Sequence, residues 1–206
     1  MNLPNKVTLL RIGLIPFFLI VYLAQPFHEI VNLWLAMVIF IIASITDAID
    51  GHLARKHKLV TNFGKLIDPL ADKLLICSAL VAFVYTGALR GQFSAWAGQF
   101  SIWAVIILIS REFYVSGLRL IALEQRIVLP ALKGGKLKMG LQIALVVVVL
   151  LPMQMLELFP IPTLFLDWLF ILHRWAVLIL LALATVVSVH SAVTYTVKNK
   201  DVLAKQ

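Results

Sequence analysis

Four aspartates fall within one stretch, DAIDGHLARKHKLVTNFGKLIDPLAD (residues 47–72), of a 206-residue chain that carries only ten acidic residues. Asp47 and Asp50 are spaced i, i+3, and Asp68 and Asp72 i, i+4, so on two helices each pair shares a face. Gly51 and Ala54 fall on the face of the first pair and add almost no side-chain volume to it. A helical hairpin that brought all four carboxylates together beside low-dielectric surroundings would make them repel one another and take up protons, unless a cation sat among them. Aspartate oxygens are hard ligands, which selects Mg²⁺, Mn²⁺ or Ca²⁺ over zinc or copper, and the number of carboxylates suits a pair of ions. Protein-bound Mg²⁺ usually completes its shell with substrate phosphate, so the pattern implies a phosphate-bearing ligand.

The elements that must position these residues are set by composition. Hydrophobic residues make up 62% of the chain and the mean hydropathy is +0.98, which describes an integral membrane protein rather than a soluble domain. Apolar stretches run over Val7–Leu23, Ile30–Thr46, Leu66–Tyr85, Ile102–Leu123, Leu141–Phe159 and Trp168–Val193, each near the length that crosses a bilayer. The expectation is therefore an all-α polytopic membrane protein with six transmembrane helices and a single domain over residues 1–206. Turn signals at Gln25-Pro26, Gly64 and Pro69, Gly87 and Gly91, Gly134-Gly135, and Pro160 with Pro162 mark the expected loops. The first span is read as a retained helix, since no small-x-small cleavage site follows it. Cys77, the single cysteine, forms no intrachain disulfide.

Positive charge is concentrated between spans two and three (Arg55, Lys56, Lys58, Lys65) and between spans four and five (Arg126, Lys133, Lys136, Lys138). Short cytoplasmic loops hold such an excess, so these segments and both termini are expected inside the cell. The formal charge of +8 suits a surface resting on anionic lipid rather than on nucleic acid. The aspartates then stand at the cytoplasmic ends of spans two and three. A plain alternative is that acids near a helix N-terminus answer the helix dipole. That account covers Asp68 and Asp72 but not Asp47 and Asp50, which lie toward a C-terminal end. Ionisable groups in spans are functional candidates by default.

Asp47-x2-Asp50-Gly51-x2-Ala54-Arg55-x8-Gly64-x3-Asp68-x3-Asp72 resembles the full signature of the CDP-alcohol phosphatidyltransferases, with no departure at any signature position. The resemblance covers most of the chain. It implies a six-helix fold, usually dimeric, that transfers a phosphatidyl group from a CDP-linked lipid to an alcohol and releases CMP. It further implies that Asp47, Asp50 and Asp68 hold two divalent ions, Mg²⁺ or Mn²⁺, against the donor diphosphate, and that Asp72 contacts metal and acts as the base. Gly51 and Ala54 resemble the positions where the cytidine lies close to the helix backbone, and Arg55 suits a phosphate or an aspartate partner.

The stretches NLPNKVTLLRIGLIP, SREFYVSGLRLIA and GGKLKMGLQ are similar to the bacterial phosphatidylglycerophosphate synthase branch of that family. That similarity implies CDP-diacylglycerol as donor, sn-glycerol 3-phosphate as acceptor and the bacterial plasma membrane as location. An acceptor with a phosphate needs fixed cations, and Arg111, Arg119, Lys136 and Lys138 are the candidates. Each has a second reading: Arg111 as the partner of Glu112, and the other three as ordinary cytoplasmic or headgroup-binding cations. Asn5 and Thr8 line the nucleotide entrance on one reading and cap the first helix on the other. Arg11 is expected to snorkel to the interface. His52 and His57 are read as solvated, and Trp34, Trp96, Trp168 and Tyr195 as interfacial anchors. Two alternatives stay open: the same donor chemistry with inositol phosphate, serine or phosphatidylglycerol as acceptor, and an ion or metal transporter. The second is disfavoured by the clustering of acids at one face and by the absence of an inverted repeat.

Overall fold

The computed structural model describes residues 3–57, 62–89, 95–124, 133–159 and 161–199, with side chains for 9–46, 73–89, 96–122, 135, 137–159 and 161–199. The described residues are all-helical, without a strand. Six α-helices follow in order: α1 (Leu3–Leu19), α2 (Glu29–His57), α3 (Asn62–Thr86), α4 (Ala95–Glu124), α5 (Lys133–Leu150) and α6 (Thr163–Lys198). A π-helical turn, Ile20–Ala24, extends α1, and a 3₁₀ turn, Met153–Leu158, follows α5. Three runs among the described residues are long and apolar enough to cross a membrane, namely Glu29–Thr46, Leu137–Leu158 and Thr163–Lys198, and shorter apolar helices occupy Leu9–Ala24 and Lys73–Thr86. Large apolar side chains such as Phe17, Trp103, Leu172 and Val186 are more than 60% exposed, a pattern that suits lipid rather than water as the surrounding solvent.

Helix boundaries depart from the expected ones where breaker residues fall inside helices. Gly64 and Pro69 lie within α3, and Gly134-Gly135 within the first turn of α5. A proline or glycine early in a helix costs little, because the first N–H groups have no intrahelical acceptor, and membrane helices tolerate both further in. The fifth helix is displaced toward the N-terminus relative to Leu141–Phe159. It ends at Leu150, since Pro152 cannot continue a helix and biases Leu151 away from the α region. The turn signal at Gln25-Pro26 acts as expected: the π turn stops at Ala24 and Gln25 adopts a left-handed conformation, φ 47° and ψ 57°.

The chain forms two compact units. The first comprises residues 1–86 and 146–172. In it α1 packs against both α2 and α3 through one face on which Arg11, Ile15, Phe18 and Tyr22 recur at helical spacing, all buried. Phe18 meets Phe40 of α2 with ring centroids 6.2 Å apart, and Tyr22 meets Phe83 of α3 edge-on at 5.1 Å. The Tyr22 hydroxyl lies 2.9 Å from Thr86 Oγ1. Ala36, Ala43 and Ala79 are fully buried, and small residues of this kind let helix backbones approach closely. At the end where α2 begins, Trp34 Nε1 donates to Met155 Sδ and Gln154 Nε2 to Glu29 Oε1 at 3.2 Å. The second unit comprises residues 87–145 and 173–206, and its described core includes Ala104, Leu108 and Val115 of α4, Leu145 of α5 and Leu178, Leu181 and Ala184 of α6.

Candidate active site

In the first unit, a short connection joins α1 to an antiparallel α2, and α3 runs parallel to α1, since Tyr22 near the end of α1 meets Phe83 and Thr86 near the end of α3. The N-terminal part of α1, the C-terminal part of α2 and the N-terminal part of α3 therefore share one end of this unit. The backbone of α2 carries Asp47 and Asp50, and that of α3 carries Asp68 and Asp72. The side chains of residues 47–72 lie outside the described residues, as do those of Asn5, Thr8 and Lys136, and with them the roles expected for Gly51, Ala54 and Arg55. Among the described residues no group of three or more His, Cys, Asp or Glu forms a metal site.

Backbone placement changes the dipole argument. With α3 beginning at Asn62, Asp68 and Asp72 stand in its second and third turns rather than its first. With α2 ending at His57, Asp47 and Asp50 stand two to three turns before its end. The dipole acts within the first and last turn, so it accounts for neither pair. A donor set of four aspartates on two adjoining helices fits hard divalent cations completed by phosphate oxygens.

Arg11 does not snorkel. It is 2% exposed, among the largest fully buried side chains of the described residues, because its position on α1 belongs to the face packed against α2 and α3. Its spacing to Ile15, Phe18 and Tyr22 was the sequence signal for this burial.

The second unit holds a separate polar cluster. Glu112 of α4 is buried and accepts from Lys138 Nζ of α5, and Arg111 Nη1 lies 3.6 Å from the same carboxylate. Arg111 also reaches α6, where Nε donates to the Ser188 carbonyl at 3.3 Å and Nη2 to the Ser191 hydroxyl at 3.0 Å. Two turns further along α4, Arg119 Nε donates to the Tyr195 hydroxyl at 3.4 Å, and its guanidinium stands 5.6 Å from the centre of the Tyr195 ring. Tyr195 is 2% exposed, so it is a buried partner of Arg119 rather than an interfacial anchor. Arg111 and Lys138 thus come together at Glu112, while Arg119 lies on the same side of α4 against α6 through Tyr195. Two cations meet the Glu112 carboxylate and Arg119 stands further along α4, so these described groups carry more positive than negative charge. The buried Ser188 hydroxyl and the buried Gln142 Nε2 have no hydrogen-bond partner among the described residues. Ser188, Ser191 and Tyr195 are spaced i, i+3 and i+7, a polar stripe on an apolar helix that was readable in the sequence and passed over.

Comparison with known proteins agrees with the residue pattern. A relative in Bacillus subtilis named CDP-diacylglycerol–glycerol-3-phosphate 3-phosphatidyltransferase is 46% identical over 174 residues, covering 78% of this chain and 82% of its own. A probable phosphatidylglycerophosphate synthase of Mycobacterium tuberculosis is 39% identical over 153 residues, covering 74% and 68%. A Rickettsia felis relative named like the first is 36% identical over 141 residues, covering 68% and 70%. The family model for CDP-alcohol phosphatidyltransferases matches residues 1–189, and the chain belongs to that family.

Proposed function

We propose that the chain transfers the phosphatidyl group of CDP-diacylglycerol to sn-glycerol 3-phosphate, giving phosphatidylglycerophosphate and CMP. The observation that carries this reading is the pair of adjoining antiparallel helices whose backbones bear Asp47, Asp50, Asp68 and Asp72 toward one end of their unit. The acceptor assignment is supported by the names of the relatives and by the cationic cluster of Arg111, Arg119 and Lys138, to which Lys136 adds its charge.

In this reading Asp47, Asp50, Asp68 and Asp72 hold two divalent ions, Mg²⁺ or Mn²⁺. When bound, the ions offset the charge of the donor diphosphate. Asp72 accepts the proton of the acceptor hydroxyl as its oxygen bonds to the phosphorus that carries diacylglycerol. The bond between that phosphorus and the bridging diphosphate oxygen breaks, and CMP leaves with the electron pair. Gly51 and Ala54 leave room for the cytidine along α2, Arg55, Asn5 and Thr8 flank the donor, and the cationic cluster fixes the acceptor phosphate through charge-assisted hydrogen bonds.

The whole chain forms one membrane domain of six spanning helices in a bacterial plasma membrane. The lysines and arginines flanking the aspartate stretch support a cytoplasmic active site and cytoplasmic termini. A homodimer follows from the family resemblance.

The test is CMP release by detergent-purified protein supplied with CDP-diacylglycerol, Mg²⁺ or Mn²⁺ and a panel of acceptors, beside Asp72→Asn. Release that needs glycerol 3-phosphate and disappears in the variant is expected. Release with serine, inositol phosphate or phosphatidylglycerol instead would overturn the acceptor, and no release from folded protein with any acceptor would overturn the reaction.

A further inference from the structure

The reaction above gives no role to Arg11, the most deeply buried cation among the described residues of the first unit. Arg11 is 2% exposed, and its neighbours along the buried face of α1 are Ile15, Phe18 and Tyr22. A guanidinium in such surroundings is costly unless carboxylates or other acceptors answer it.

Helix register identifies which carboxylates stand at its height. Phe18 of α1 meets Phe40 of the antiparallel α2. Seven residues back along α1 is Arg11 and seven forward along α2 is Asp47, each ~10 Å from the aromatic pair at 1.5 Å per residue. Tyr22 of α1 meets Phe83 of the parallel α3. Eleven residues back along both helices are Arg11 and Asp72, each ~16 Å away by the same rise. Two independent contacts thus bring the backbones of Arg11, Asp47 and Asp72 to one height, to within about a turn. Asp50 and Asp68 follow and precede these two by about one turn on α2 and α3, whereas Glu29 belongs to the opposite end of the unit, where Gln154 bonds Glu29 and Trp34 bonds Met155.

Building on the metal-dependent reading above, we propose that Arg11 is a positioning residue for the aspartate cluster: its buried guanidinium bridges the carboxylates of α2 and α3 and sets their geometry for divalent metal. Arginine suits this task because its planar fork engages two carboxylates at once from a fixed plane, which a lysine ammonium does not do. Partners that orient metal ligands typically change metal affinity about 10- to 100-fold when removed. A cation near a metal site that served only as charge would have the opposite sign, since its removal lessens repulsion and tightens metal binding.

Mn²⁺ binding to the metal-free, detergent-purified full chain, followed by loss of the free-ion paramagnetic resonance signal, separates these cases, with thermal midpoint and CMP release measured in parallel. Arg11→Met is expected to weaken Mn²⁺ binding by about 10- to 100-fold, and to lower kcat while KM for glycerol 3-phosphate stays near the wild-type value. Arg11→Lys, which keeps the charge and most of the volume, is expected to fold and to bind Mn²⁺ more weakly than wild type yet better than Arg11→Met. Unchanged or tighter Mn²⁺ binding in a folded Arg11→Met protein overturns the proposal. Should that variant not fold, wild-type binding and turnover in Arg11→Lys overturns it equally. Wild-type protein that binds Mn²⁺ but releases no CMP would instead count against the reaction while leaving the role of Arg11 to stand on the binding data. Wild-type protein that binds no Mn²⁺ overturns the role as well.

Discussion

The Glu112 carboxylate of α4 is held by the Lys138 ammonium of α5, and both side chains are about nine-tenths buried. Removing one partner of a buried pair strands the other charge, which costs about 3–5 kcal/mol. Glu112→Gln should therefore lower the thermal midpoint in detergent sharply. Glu112→Gln combined with Lys138→Met should recover part of that loss, and a double variant no more stable than the single one would show that the pair is not what Glu112 supports.

Arg111 spends its donors on α6 and on Glu112, yet its cluster retains excess positive charge. Arg111→Lys keeps the charge and loses the fork that spans Ser188 and Ser191. The expected result is a KM for glycerol 3-phosphate raised about tenfold, equivalent to one charged hydrogen bond of ~1.5 kcal/mol, with little change in KM for the lipid donor. Equal effects on both constants would assign Arg111 to helix packing rather than to the acceptor.

Gly51 lies inside α2, where glycine is less stable than leucine by about 1 kcal/mol in helix propensity. Gly51→Leu should hold or raise the thermal midpoint while removing CMP release, because the new side chain occupies the space assigned to the nucleotide. A stable variant with full activity would place the cytidine elsewhere.

Gln25 is the only non-glycine among the described residues with positive φ. A left-handed residue with a Cβ costs roughly 1–2 kcal/mol that glycine avoids, partly offset by glycine's greater freedom in the unfolded chain. Gln25→Gly should raise the thermal midpoint slightly and leave CMP release unchanged, since this turn stands at the opposite end of the unit from the aspartates. A fall in stability would mean that the Gln25 side chain contributes more than its backbone costs.

Hydropathy made the helix count and the end of the π turn legible, because apolar runs and Gln25-Pro26 act locally. It did not reveal where helices extend past the apolar runs: α2 continues from Thr46 to His57 and α3 begins before Leu66, since backbone hydrogen bonding carries on into polar sequence. Gly64 and Gly134-Gly135 misled for a related reason, as breaker residues near a helix start do not break it, and Pro69 because membrane helices tolerate proline further in. The aspartate signature was legible because its spacing is local to two helices. The environment of Arg11 was not read from hydropathy, because a long cation near the start of an apolar run is equally compatible with snorkelling and with burial. The choice is made by the helices that α1 packs against. The partners of Arg111 and Arg119 lie 76–80 residues away on α6, a distance in sequence at which no window of residues carries the information.

The two-part character of α2 has a consequence for where the reaction happens. Its apolar part, Glu29–Thr46, is 18 residues or ~27 Å long, close to the ~30 Å hydrocarbon thickness. The same helix then continues without a break through Asp47 to His57, ~16 Å more at the helical rise. In the proposed membrane placement the apolar length works as a depth gauge that sets the first aspartates at the height of the lipid headgroups. Under the proposed function, a lipid donor meets them there without lifting its acyl chains from among its neighbours, and a water-soluble acceptor arrives without entering oil.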